Sequence, residues 1–167
     1  MRKTLLESMG ILAVLFVLSC QSTGNTSAAD KNGQTALSGE SAEEQILTEI
    51  YERYENKLIM TGAKLYTVAG GDTLTRIARQ NYGAGDNPYY FPLIIAASKE
   101  SAEILDPDSI EVGMQLIIPS LQDNLNDPAA RNNLKNLLKD VADFYAGKEG
   151  QQSQGIYSGL IRLYNTL

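Results

Sequence analysis

The sequence predicts an α+β fold in which a strand–helix–helix–strand unit is flanked on both sides by further helices. Three observations carry this. Two short β-rich runs, Lys64 to Val68 (KLYTV) and Gln115 to Pro119 (QLIIP), bound the middle of the chain. Between them apolar residues recur at helical spacing, in Leu74, Ile77 and Ala78 and again in Leu93, Ile94, Ala96 and Ala97. Outside them, apolar stripes at three- and four-residue spacing run through 41–59 and 121–167. Apolar residues make up 43% of the 167, enough to build a core for such a unit.

The N-terminus reads as an export signal over residues 1–19. Arg2 and Lys3 supply a positive start, Gly10 to Leu18 an apolar run, and Ser19 a small residue ahead of a cut. The run is about half of the roughly 20 residues that a membrane-spanning helix needs, so a signal peptide fits better than a permanent span. Glu7 is an irregularity in the positive start. The end of the run, Val17-Leu18-Ser19-Cys20, resembles the lipobox of bacterial lipoproteins, although Leu18 is bulkier than the small residue usual there. The resemblance implies that Cys20 is lipidated, becomes the first mature residue and anchors the protein to a membrane of the cell envelope. It implies the outer membrane where there are two, because Gln21 and not aspartate follows the cysteine. Each buried lipid CH₂ contributes about 0.8 kcal/mol, so several acyl chains hold firmly. Residues 20–40 have the Ser/Thr/Gly/Asn/Ala-rich composition of a tether, and about 20 flexible residues span roughly 25 Å.

A first helical region is expected over 41–62. Ser41 and Glu44 fit a capping box, Ile46, Leu47, Ile50, Tyr54 and Leu58 form one stripe, and Thr61-Gly62 ends it. The C-terminal region, 121–167, is also helical. Asp127-Pro128 places a cap before a first-turn proline, and Leu134, Leu137, Leu138, Val141 and Phe144 follow at helical spacing. Gly147 to Gly155 is expected to break this helix, and Ile156, Leu160, Ile161 and Tyr164 to form a last short one. Each stripe must be buried, either against the rest of the chain or by a protein partner docked on the flanking helices.

The middle region, 64–120, turns sharply after its first strand. Gly70-Gly71 permits close backbone approach. Asp72 or Thr73 caps the following helix by accepting from its free N–H groups. Tyr82-Gly83 closes that helix, and a second starts near Pro92. Tyr82, Tyr89, Tyr90 and Phe91 cluster around the loop between them, with core packing the better role for them than stacking on a ligand. Asp106-Pro107-Asp108 and Val112-Gly113 are turns, and Pro119 ends the second strand where no ladder donor is needed.

Taken in order, Tyr66-Thr67-Val68, Gly71-Asp72-Thr73-Leu74, Ile77-Ala78, Asp106-Pro107-Asp108, Ile110, Gly113-Met114-Gln115-Leu116 and Ile118-Pro119 are similar to the LysM domain, over residues 66–119. The resemblance implies a βααβ module with two helices on one face of a two-stranded antiparallel sheet. It also implies binding of glycans containing N-acetylglucosamine, chiefly peptidoglycan, in a shallow groove between two loops. Carried onto this chain, the groove is formed by Gly70, Gly71, Asp72, Thr73 and Leu74 on one side. On the other stand Ile104, Leu105, Asp106, Pro107, Asp108 and Ile110. Many LysM domains have Ala-Asn at the end of the second helix, where this chain has Ala97-Ser98.

Composition excludes much else. The net charge of −6 becomes −7 without residues 1–19, and no Lys/Arg stripe exists to neutralise phosphates, so nucleic acid is not expected. With no histidine and a single cysteine, the chain has no Ser-His-Asp triad, no imidazole metal site, no disulfide and no implied cofactor. A glycosidase needs two carboxylates about 5 to 9.5 Å apart across the scissile bond. Asp86, Glu100, Glu103, Asp106 and Asp108 show no such context and read as solvated acids. The expected protein is thus a non-catalytic, membrane-anchored envelope lipoprotein that binds peptidoglycan. The alternative is an envelope scaffold acting through its flanking helices, with the LysM-like fold as a structural unit.

Overall fold

The computed structural model describes residues 41–102, 104 and 106–167. The signal peptide, Cys20 and the tether lie outside the described residues, as do Glu103 and Leu105.

Helix α1 (Ala42–Tyr54) starts with the expected capping box. Ser41 Oγ accepts from the Glu44 amide at 3.2 Å, and the Glu44 carboxylate accepts from the Ser41 amide at 2.6 Å. Leu47, Ile50, Tyr51 and Tyr54 are buried, but Ile46 is 49% exposed. At 100° per residue Ile46 lies about 90° from the centre of the buried arc, which corrects its place in the stripe. The helix also ends earlier than Thr61-Gly62: a 3₁₀ turn, Glu55–Lys57, relaxes it after Tyr54, and Leu58 is already extended.

Strands β1 (Lys64–Thr67) and β2 (Gln115–Ile118) pair antiparallel, with Tyr66 opposite Leu116. Two further bonds at 2.9 Å, Val68 N–H to Met114 O and Gly113 N–H to Val68 O, prolong the ladder towards the turns. Between the strands run α2 (Leu74–Tyr82) and α3 (Phe91–Ser98), joined through a 3₁₀ turn at Asn87–Tyr90. The fold is therefore α+β, the expected βααβ unit with added helices.

All eight residues of α3 are buried. A helix apolar on every side needs partners on every side, and α3 has β2, α2, α1 and α5 around it. Ser98 at its end is fully buried and satisfied. Its hydroxyl donates to Ile94 O at 2.7 Å and accepts from the Ile117 amide at 2.8 Å, tying α3 to β2.

Helix α4 (Leu121–Asn126) is capped by Ser120, and α5 (Pro128–Ala146) by Asp127, whose carboxylate accepts from the amides of Ala129 and Ala130. Helix α6 (Gln151–Thr166) packs along α5. It begins four residues before Gly155, so the expected break shrinks to 147–150, with Gly150 at φ 106° as its N-cap. A glycine inside a helix costs about 0.5 to 1 kcal/mol. The burial of Ile156, Leu160 and Leu163 against the core outweighs that. The stripes of α1, α5 and α6 are thus buried within this unit.

Candidate functional site

The turn after β1 is held by its own side chains. Gly71 has φ 83°, a conformation that favours glycine, and lets the chain reverse. The Asp72 amide donates to Ala69 O at 3.1 Å. In return the Asp72 carboxylate accepts from the Ala69 amide at 2.8 Å and the Tyr66 hydroxyl at 2.7 Å. The Ala69 amide and then the Tyr66 hydroxyl hold this carboxyl below the usual carboxylate range, and Asp72 in turn raises the Tyr66 phenol. The helix cap is Thr73, whose Oγ1 accepts from the Arg76 amide at 3.2 Å. Asp72 therefore braces the loop, and of the two expected caps only Thr73 fills that role.

The loop before β2 faces this turn. Asp106 Oδ1 accepts from the Asp108 amide at 2.9 Å, and Asp106 O accepts from the Ser109 amide at 3.0 Å. Asp72, Thr73 and Leu74 from the first loop line one cleft of about 800 Å³ together with Pro107, Asp108 and Ile110 from the second. Leu74 is only 2% exposed, so of the loop residues the half-buried Ile110 is the apolar group that a ligand methyl can reach. Gly70, Gly71 and Asp106 shape the loops but do not line the cleft. Ile104 is corrected from a groove residue to a core residue, since it is buried in the main cluster. Leu105 lies outside the described residues.

Sequence reasoning missed part of the cleft. Gln151, Gln152, Gly155 and Ile156 of α6 line it, as do Arg79, Asp86 and Arg162. The Arg162 guanidinium pairs with Asp86 at 2.9 Å and holds that carboxyl below the usual range. Gln152 Nε2 donates to Asp108 Oδ1 at 3.1 Å. A signal existed in the four-residue spacing of Gly155 and Gly159, which lets a helix face come close to a neighbour. Gly159 lies against the Tyr89 ring: a Cβ there would stand 2.4 Å from three ring carbons. Of the aromatic cluster, Tyr90 and Phe91 are core, Tyr82 stacks edge-on against Tyr90 at 6.5 Å, and Tyr89 is half-buried at the cleft under α6.

The βααβ order, the capped Gly-Asp-Thr turn and the opposed loop all fall in one segment. Residues 66–119 are a LysM domain. The match to that family model spans about a third of the chain. No curated protein and no solved structure matches the chain. LysM domains are binding modules for N-acetylglucosamine polymers such as peptidoglycan. Among the described residues no cluster of three potential metal ligands occurs, and no helix is long and apolar enough to cross a membrane.

Proposed function

We propose that the protein binds peptidoglycan through the LysM cleft without cleaving it, and does so as a lipid-anchored protein of the cell envelope. The observation that carries the glycan reading is the meeting of both LysM loops in one cleft whose carboxylates already have partners. Asp72 is held by Ala69 and Tyr66, Asp86 by Arg162, and Asp108 by Gln152. With each of these carboxylates already hydrogen-bonded, the cleft suits a neutral, amide-bearing ligand. An N-acetyl group brings one N–H, one C=O and one methyl, which match loop backbone, hydroxyl and amide groups and the Ile110 side chain.

Each new hydrogen bond gains only about 1 kcal/mol net, because water competes. Binding per sugar is therefore weak, and polymer repeats together with a membrane tether raise it. The anchor reading rests on Val17-Leu18-Ser19-Cys20 and on the tether composition that follows. A scaffold role through the flanking helices draws no support from their stripes, which are buried.

The test is co-sedimentation of the full-length protein with purified peptidoglycan at about 0.5 M salt, where ionic contacts are screened. The wild type pellets, and a folded variant altered at Gly71, Asp72 and Thr73 does not. A wild type left in the supernatant overturns the glycan reading. Separately, Cys20→Ala releases the protein from the membrane fraction, and a variant that stays there overturns the anchor.

A further inference from the structure

We propose that α6 is the third wall of the glycan site, so that Gln151 and Gln152 contact the bound sugar and Gly155 keeps the space for it. This rests on the glycan reading of the LysM cleft and deepens it. Two loops alone make an open groove. Here a helix from outside the LysM segment stands beside them, and the cleft of about 800 Å³ is lined by both. That volume lies in the range that buries a drug-sized ligand, about two to three sugar units.

Gln151, Gln152, Gly155, Gly159 and Arg162 fall on one face of α6 at helical spacing. Three points hold that face to the LysM module, the first being the hydrogen bond from Gln152 to Asp108. The Gly159 backbone sits on Tyr89, and the Arg162 guanidinium binds Asp86 while standing 5.8 Å from the Tyr89 ring. The face is thereby fixed at the cleft instead of swinging free of it. At its cleft end, ahead of Arg162, the chemistry is neutral and polar, with two side-chain amides that each donate and accept. The same groups complement the hydroxyls and N-acetyl group of an aminosugar. Gly155 lies between them, and a Cβ built on it meets no atom within 4 Å. Gly155 lines the cleft, so a larger side chain there takes up space beside it.

The test is titration of the full-length protein with the β-1,4-linked tetramer of N-acetylglucosamine, in wild type, Gly155→Ala and Gly155→Phe. Both replacements suit a helix better than glycine, so the melting temperature holds or rises. Gly155→Phe is expected to weaken binding about tenfold or more, because it fills the cleft, while Gly155→Ala stays within about twofold of wild type. Gln151→Ala with Gln152→Ala is expected to weaken binding without lowering the melting temperature. A wild type and a Gly155→Phe variant that bind equally well overturn the third wall and leave the LysM loops as the whole site. A wild type that binds neither tetramer nor peptidoglycan overturns the glycan reading and this inference together.

Discussion

The Tyr66 hydroxyl donates to the Asp72 carboxylate at 2.7 Å, from the end of β1 to the turn that follows it. The same carboxylate accepts from the Ala69 amide, while the helix beyond is capped by Thr73. Loop order and helix capping are thus divided between adjacent residues, and they can be separated. Asp72→Ala is expected to reduce glycan affinity about tenfold through a loosened loop, with α2 intact. Thr73→Ala is expected to lower stability by about 1 kcal/mol through the lost cap. Calorimetric titration beside thermal melting distinguishes the two.

The brace also makes a pH signature. Asp72 and Asp86 have folded values below the ordinary carboxylate range. Their contribution is therefore complete above that range and is lost as the pH falls through the lowered folded values. Tyr66 has a folded value raised above its ordinary one, chiefly by Asp72. Its contribution is complete below the ordinary tyrosine range and is lost as the pH rises through the raised value. Melting temperature should be flat across neutral pH and fall at both extremes. The difference between wild type and Asp72→Asn should vanish in acid.

Ser98→Ala should destabilise the LysM module by about 1 kcal/mol, since it removes the acceptor of the half-buried Ile117 amide. Glycan affinity per folded molecule should not change, because Ser98 is fully buried and does not line the cleft. Urea unfolding and titration of the same variant check both parts.

Asn124 is also fully buried, and its side chain clips the segment entering β1. Oδ1 accepts from the Ile59 amide at 2.9 Å, and Nδ2 donates to Ile59 O at 2.9 Å and Ser120 O at 3.0 Å. Asn124→Ala strands both polar groups of Ile59 and should cost about 3 kcal/mol in a urea melt.

The LysM strands, the Gly-Asp-Thr turn and the caps at Ser41 and Asp127 were legible in sequence because each is a local decision made by neighbouring residues. The misreadings share the opposite cause. Gly155 looks like a breaker until Ile156, Leu160 and Leu163 are seen to pack in the core. Ile104 looks like a loop residue until the core closes over it. Ser98 stands where many LysM domains have asparagine, and the Ile117 amide it accepts from lies 19 residues away. The α6 wall depends on Gln152 meeting Asp108 across 44 residues, which no local pattern reports.

The burial of α3 on every side limits how portable the LysM module is. Cutting the gene at 66 and 119 would strip α1 and α5 from Phe91–Ser98 and leave part of a wholly buried helix in water. A fragment of that kind invites self-association through the exposed patch. The recognisable stretch and the stretch that buries α3 are different lengths. Any recombinant probe, fusion or domain swap made from it has to carry its helices along.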